Sequence, residues 1–257
     1  MEGEKVIYGI YPVLEAIKSE ARDISEIIIA YQKKGKDISE IKTLARNKNI
    51  KLSLRNKQRI DTLSGTWKHQ GVVAIVSAKR FVEIEDLVHI SLEKRSDPIL
   101  LILDGITDPQ NLGAIIRSAE ALGVEGIILP KNRAVGVTPA VARTSAGALE
   151  YMKMARVINI SRTIEYLKKK GFWIVGADEK VKKPIYNQNL NGPLGVVMGN
   201  EKEGIKKLVK EKCDILISIP MKGRINSLNV SSASAIIIYE ILRQRVKIHN
   251  KKVDKNI

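Results

Sequence analysis

Residues 219–232 read Ile-Pro-Met-Lys-Gly-Arg-Ile-Asn-Ser-Leu-Asn-Val-Ser-Ser, and an apolar helical run follows them. The segment starts at the end of a buried-strand pattern, Ile215, Leu216, Ile217 and Ile219. It crosses a loop of small polar groups and one glycine (Gly223, Asn226, Ser227, Asn229), then opens a helix. A strand end, a polar loop and a helix N-terminus in succession form a ligand cradle, because the backbone N–H groups there lack partners and point outward.

Two more segments begin the same way. Leu101-Ile102-Leu103-Asp104-Gly105-Ile106-Thr107-Asp108-Pro109-Gln110-Asn111-Leu112-Gly113-Ala114-Ile115-Ile116-Arg117 ends a continuous apolar run that starts at Ile99. Such a run predicts a strand covered on both faces. Asp104-Gly105 and Asp108-Pro109 punctuate a loop, and Asn111 is expected to cap the next helix. Leu112, Ile115, Ile116, Ala119 and Leu122 recur at helical spacing as its buried stripe, with Arg117 near the edge of that stripe. In Leu194-Gly195-Val196-Val197-Met198-Gly199-Asn200-Glu201-Lys202-Glu203-Gly204 an apolar strand enters a Gly-flanked turn. That turn puts Glu201 at a strand C-terminus, the edge where open α/β sheets bind ligands.

Taken together, the three segments resemble the signature motifs of the SpoU (SpoU/TrmH-type) branch of the SPOUT methyltransferases, which methylate the ribose 2′-oxygen of RNA. Asn111, Gly113 and Arg117 match the Asn-x-Gly-x-x-x-Arg core of the first motif, Gly199-Asn200-Glu201 through Gly204 the second, and 219–232 the third. The match covers 98–245 closely and the whole chain more loosely. It implies S-adenosylmethionine as cofactor, held against Gly199, Ile219 and Leu228, chiefly by backbone groups. It implies Arg117 as the principal catalytic residue, with Asn111, Glu201, Ser227 and Asn229 as the remaining polar positions of the active site. A guanidinium is a poor base, so Arg117 reads first as an anchor for phosphate and developing alkoxide. Without the resemblance, Asn111 and Asn229 read as helix caps, Glu201 as a turn acid, and Ile219 and Leu228 as core.

The chain has 257 residues, with 44 Lys+Arg against 28 Asp+Glu and a net charge of +16. An excess of this kind favours a polyanionic partner such as RNA. It is spread out: residues 1–78 carry 14 basic and 9 acidic side chains, and residues 243–257 carry 6 and 1. The latter stretch reads equally as a solvated tail or as an RNA contact. One cysteine, Cys213, excludes an intrachain disulfide and reads as a small buried filler. His69, His89 and His249 make no metal-ligand pattern, so no metal is expected. The N-terminus lacks a signal-peptide pattern and no apolar run reaches membrane-spanning length, so a cytoplasmic protein is expected.

Residues 1–78 alternate helix-like and strand-like segments: a helix after Gly9, strand 24–31, helix 37–47 and strands 51–54 and 71–76. Tyr8-Gly9-Ile10-Tyr11-Pro12-Val13-Leu14-Glu15-Ala16 and His69-Gln70-Gly71-Val72-Val73-Ala74 resemble the substrate-binding N-terminal domain of some SpoU-type enzymes, which has a ribosomal-protein-like fold. The alternative is a stability or dimerisation module. Residues 79–97 read as a charged linker with a short helix at 84–92. From 98 to 257, strands (99–103, 126–129, 152–157, 172–177, 194–198, 214–219) alternate with helices (111–122, 139–146, 162–170, 205–211, 229–243). The fold class is therefore α/β, with a parallel sheet covered on both faces. The resemblance adds a trefoil knot in this domain and a homodimer formed through it.

The function expected is 2′-O-methylation of a nucleotide, a guanosine by the likeness in length and N-terminal domain, in 23S ribosomal RNA. The alternatives are a transfer RNA ribose methyltransferase and a non-catalytic RNA-binding or ribosome-assembly protein. A dinucleotide-binding oxidoreductase would need a Gly-x-Gly-x-x-Gly turn that the chain lacks.

Overall fold

In the computed structural model, residues 5–253 are described, with side chains as far as Val246. The chain forms two compact units. The first takes in the chain up to Arg80 with Leu112–Arg117 and Gly136–Tyr151; the second holds Phe81–Asn111, Ser118–Val135 and the chain from Met152 on.

The first unit opens β1 (Lys5–Tyr8), α1 (Ile10–Ser19), β2 (Ile24–Ala30), α2 (Lys36–Asn47), β3 (Lys51–Arg55), α3 (Lys57–Ser64), β4 (Val72–Val76). Its four-stranded sheet has the order β1-β4-β2-β3. β4 runs antiparallel to both β1 and β2, and β3 runs parallel to β2. Sequence periodicity does not reveal β1 or α3. β1 is only four residues long, and α3 buries Ile60 alone. What marks α3 is its caps: the Asn56 side chain accepts from the Arg59 N–H, and Gly65 closes the helix in left-handed backbone.

The second unit continues through α4 (Ile84–Lys94), β5 (Ile99–Asp104), α5 (Pro109–Ala121) and β6 (Gly126–Pro130). After α6 (Pro139–Thr144) and α7 (Ala148–Tyr151) come β7 (Met154–Val157), α8 (Ile160–Lys169), β8 (Trp173–Ala177), β9 (Leu194–Gly199), α9 (Lys207–Lys212), β10 (Ile215–Ile217) and α10 (Val230–Val253). Its six strands lie in the order β10-β8-β9-β5-β6-β7, all parallel. Ile99 to Leu103 are fully buried, as expected of a central strand covered on both faces. Cys213 packs against this core; burial pushes its thiol up to about 12, so it stays protonated and inert.

Two expectations need correction. Asn111 is not the cap of α5: the helix starts earlier, with Pro109 in its first turn and the Asp108 side chain accepting from the Gln110 N–H. Proline supplies the helical φ and lacks the N–H that would go unpaired, so the helix begins at Pro109. The helix expected over 139–146 ends at Thr144, and an additional short helix, α7, follows once the chain has passed through left-handed backbone at Ala146 and Gly147.

α6 and α7 are part of the first unit. A Cβ at Gly113 would fall 2.6 Å from the Thr144 Cβ, so only glycine lets this turn of α5 meet α6. Arg22 and Glu150 form a bidentate pair (2.7 and 2.6 Å) with side chains 2% and 1% exposed. Lys79 donates to the Glu150 carbonyl (2.9 Å), and burial pulls its ammonium down to about 8. Of the basic C-terminal stretch, Arg243 is bonded to Glu240, and Arg245 to the carbonyls of Asp97 and Gly192. The side chains of 247–257 lie outside those described. Among the described residues no helix is long and apolar enough to cross a membrane.

Removing one partner of a buried ion pair strands the other charge. Arg22→Ala is expected to lower the unfolding free energy by about 3–5 kcal/mol, and Arg22→Met with Glu150→Met to recover most of it. Denaturant melts of the three proteins check this.

Candidate active site

The second unit's strands deliver three loops to one place. The loops after β8, β9 and β10 line a cleft of about 370 Å³ outside the carboxyl ends of those strands. Of the residues singled out in the sequence, Gly199, Glu201, Ile219, Ser227, Leu228 and Asn229 all border it. Asn111 and Arg117 do not, but Asn111 is bonded to two that do.

Directional hydrogen bonds join the three segments. Asn229 precedes α10, and its Oδ1 accepts from the N–H and hydroxyl of Ser231 (2.9 and 2.6 Å). Its Nδ2 is left to donate, and does so to Asn111 Oδ1 at 3.0 Å. The nearly buried Asn111 then donates from Nδ2 to Glu201 Oε1 at 2.6 Å. A carboxylate only accepts and a backbone N–H only donates, so the two ends fix both amide orientations. Asn229 thus both caps α10 and bonds across the site, whereas Asn111 serves no cap.

Gly199 is required by close approach. A Cβ there would lie 2.0 Å from the Gly204 carbonyl carbon and 2.2 Å from the Ile205 nitrogen. The turn closes through paired Asn200–Gly204 backbone bonds at 3.1 Å. The Asn200 side chain fills it from inside, accepting from the N–H groups of Lys202 and Glu203 (2.9 and 2.7 Å). The sequence reading missed Asn200, although an Asn two and three residues before such donors is the usual mark of a side-chain-built turn. It also passed over Asp104, which is 1% exposed and holds the Lys206 N–H and ammonium (3.1 and 2.9 Å). Asp178 borders the cleft as well. Burial pushes its carboxyl up, but Lys210 and the Lys180 N–H outweigh that and hold it below the usual range.

Segment 219–229 contributes main chain. Among the described residues, none of its N–H groups donates to another protein group. The side chains of Ser227, Leu228 and Asn229 are exposed, and Ile219 is half-buried. Arg117 stands six residues beyond Asn111 on α5, exposed and without a hydrogen bond or ion pair among the described residues. An arginine left without an acid partner is available to a bound anion.

Comparison with known proteins places the chain in a family. A model described as the SpoU rRNA Methylase family matches residues 98–239, and one described as RNA 2′-O ribose methyltransferase substrate binding matches residues 6–82. The chain belongs to the SpoU rRNA methylase family. It is 41% identical over 239 residues to the Bacillus subtilis protein YacO, named for the TrmH family of tRNA/rRNA methyltransferases, covering 93% of this chain and 95% of that one. It is 39% identical over 255 residues to the 23S rRNA (guanosine-2′-O-)-methyltransferase RlmB of Neisseria meningitidis, covering 98% and 100%. The solved structure of the SpoU methyltransferase AviRb from Streptomyces viridochromogenes, in complex with AdoMet, superposes with a TM-score of 0.80 at 25% identity, over 95% of this chain and 92% of that one.

Gly199→Ala is expected to destabilise the second unit by about 2 kcal/mol or more, because the added methyl meets backbone that cannot step aside. Denaturant unfolding of the variant against the parent measures it.

Proposed function

We propose that this chain transfers a methyl group from S-adenosylmethionine to the ribose 2′-hydroxyl of a guanosine in 23S ribosomal RNA. The observation that carries the proposal is the joining of three distant segments around one cleft by the bonds of Asn111 to Glu201 and Asn229. The cleft suits the cofactor in size and lining. Its volume falls within the usual range for small-molecule sites. Ile217, Ile219 and Leu228 offer apolar cover, and the unengaged N–H groups of 219–229 offer donors to a heterocycle.

S-adenosylmethionine supplies a methyl group on a positively charged sulfonium. The residues of the chain supply position and charge. Backbone at Gly199, Ile219 and Leu228 would hold the cofactor. Arg117 would bind the target phosphate and stabilise negative charge developing on the 2′-oxygen as its proton leaves. A cation held there by the target phosphate lowers the barrier by offsetting the charge that develops. Glu201, Asn111, Asn229 and Ser227 would line the RNA side and keep the loops in register. Positioning of this kind contributes several kcal/mol on its own.

We further infer residues 1–78 as the domain that selects the RNA, 79–97 as a linker and 98–257 as the methyltransferase domain, its C-terminal part threaded as the family's trefoil knot. The protein is inferred to work in the cytoplasm as a homodimer. Supporting the dimer, Ile236, Tyr239 and Val246 leave an apolar stripe exposed along α10. A transfer RNA target is the second reading, favoured by the relative named for tRNA/rRNA methyltransferases.

Labelled S-adenosylmethionine, incubated with the protein and unmodified 23S ribosomal RNA or transfer RNA, tests the proposal once the modified ribose is mapped. A methylated guanosine in 23S RNA is expected; label in transfer RNA alone would move the chain to the second reading. Arg117→Ala should keep cofactor affinity within about twofold while methyl transfer falls by about 100-fold or more. Near-normal turnover would remove Arg117 from the catalytic role.

A further inference from the structure

β5 and β9 lie side by side at the centre of the second unit's sheet, with Asp104 and Gly199 as register partners at their ends. Just beyond these ends stand Gly105 on one strand and Asn200 on the other. Gly105 has left-handed backbone (φ 87°), and so has Arg133 (φ 58°), an uncommon state for a residue with a side chain. Three polar atoms gather beside Gly105. A Cβ built there would lie 3.8 Å from the Arg133 carbonyl oxygen, 3.8 Å from Asn200 Nδ2 and 3.8 Å from Lys206 Nζ. Apart from the residues on either side of Gly105, nothing among the described residues comes closer.

Other contacts hold each of the three atoms in place. Asn200 Oδ1 accepts from the N–H groups of Lys202 and Glu203, which leaves Nδ2 facing Gly105 with no partner among the described residues. The Lys206 ammonium is bonded to buried Asp104 at 2.9 Å and keeps further hydrogens to donate. The Arg133 carbonyl accepts no hydrogen bond among the described residues. The chain on either side of it is pinned, by the Lys131 N–H to the Val157 carbonyl (2.8 Å) and the Val135 N–H to the Ile106 carbonyl (2.9 Å). Lys206 and Arg133 are exposed and Asn200 is half-buried, so a ligand can reach the cluster from solvent. Only Asn200 of these residues borders the cofactor cleft; the cluster itself lies outside it.

We propose that this cluster reads the base of the target guanosine, with Asn200 and Lys206 donating to N7 and O6 and the Arg133 carbonyl accepting from N1–H. The inference rests on the methyltransferase reading and names the residues that select the nucleotide. Two donors and one acceptor around a point suit an uncharged edge. Asp104 offsets the charge of Lys206 and the carbonyl repels an anion, so a phosphate is a poor match. Guanine offers two acceptors side by side, O6 and N7, with the N1–H donor next to O6. Adenine and cytosine put an amino group in place of O6 and an acceptor in place of N1–H, which sets donor against donor. Uracil offers O4 and N3–H but has no N7, so one oxygen would have to serve both donors. A ligand oxygen about 1 Å from the point beside Gly105 comes within hydrogen-bond distance of a donor, and an unstacked base can bring its edge there first.

Transcripts of the methylated RNA, with the target guanosine replaced by inosine, adenosine, 2-aminopurine or uridine, test this on the full chain. Inosine keeps O6, N7 and N1–H, and should hold kcat/KM within about threefold of guanosine. Adenosine and 2-aminopurine should lower it by about tenfold to a hundredfold, and uridine by about tenfold. Asn200→Asp keeps the oxygen that closes the turn and replaces the donor beside Gly105 by an acceptor. It should narrow the preference for guanosine over adenosine by about tenfold or more, with cofactor affinity within about threefold. A loss that is only structural would lower both substrates alike and leave their ratio unchanged. Adenosine or uridine methylated as well as guanosine by the parent, or an Asn200→Asp protein with the parent's preference, overturns the proposal and leaves the methyltransferase reading standing. Label transferred to no RNA at all overturns both.

Discussion

The side-chain amide of Asn111 joins parts of the chain that are 90 and 118 residues away from it, by donating to Glu201 and accepting from Asn229. Asn111 lies in the first turn of α5, Glu201 in the turn after β9, and Asn229 at the threshold of α10. Each bond alone is worth about 1 kcal/mol net. Their value lies in direction. The α10 N-terminus forces Asn229 to present its amino group, which forces Asn111 to present its own to Glu201. A loop of small polar residues and a Gly-flanked turn would otherwise be free to take many positions. Tied to Asn111, they border one cleft.

The same economy of space governs the second motif. Gly199 ends β9 and is met at once by the returning backbone of Gly204 and Ile205. The turn can fold back that tightly only because the Asn200 side chain bonds the N–H groups the turn itself leaves unpaired. Lys206, the next residue in line, is held by buried Asp104 at the end of the neighbouring strand. Turn, strand end and helix start are therefore braced independently of any ligand, which is what a preorganised site requires.

Much of this was legible in the sequence, for identifiable reasons. Continuous apolar runs such as Ile99–Leu103 have one stable outcome, a strand covered on both faces, and the six strands of the parallel sheet are where those runs lie. The residues bordering the cleft could be named because the three segments resemble family motifs; pattern alone makes Glu201 a turn acid and Ile219 and Leu228 core. What was not legible depends on contacts between distant parts of the chain. β1 is four residues long and forms because β4 lies beside it. Asn111 looked like a cap, since caps are local and its partners, 90 and 118 residues away, are not. The break between α6 and α7 runs through left-handed backbone at Ala146 and Gly147, and of the two only the glycine signals it. Asp104 reads locally as loop punctuation and Asn200 as one position of a Gly-flanked turn, because their donors come into place only in the fold.

The most direct measurement is a double-mutant cycle between Glu201→Ala and Asn229→Ala, read as unfolding free energy in denaturant and repeated in an Asn111→Ala background. Glu201 and Asn229 share no hydrogen bond and meet only through Asn111. The account predicts a coupling of about 0.5–1 kcal/mol in the parent that disappears once Asn111 is gone. Additivity within about 0.3 kcal/mol in the parent, or a coupling that survives in the Asn111→Ala background, would contradict it.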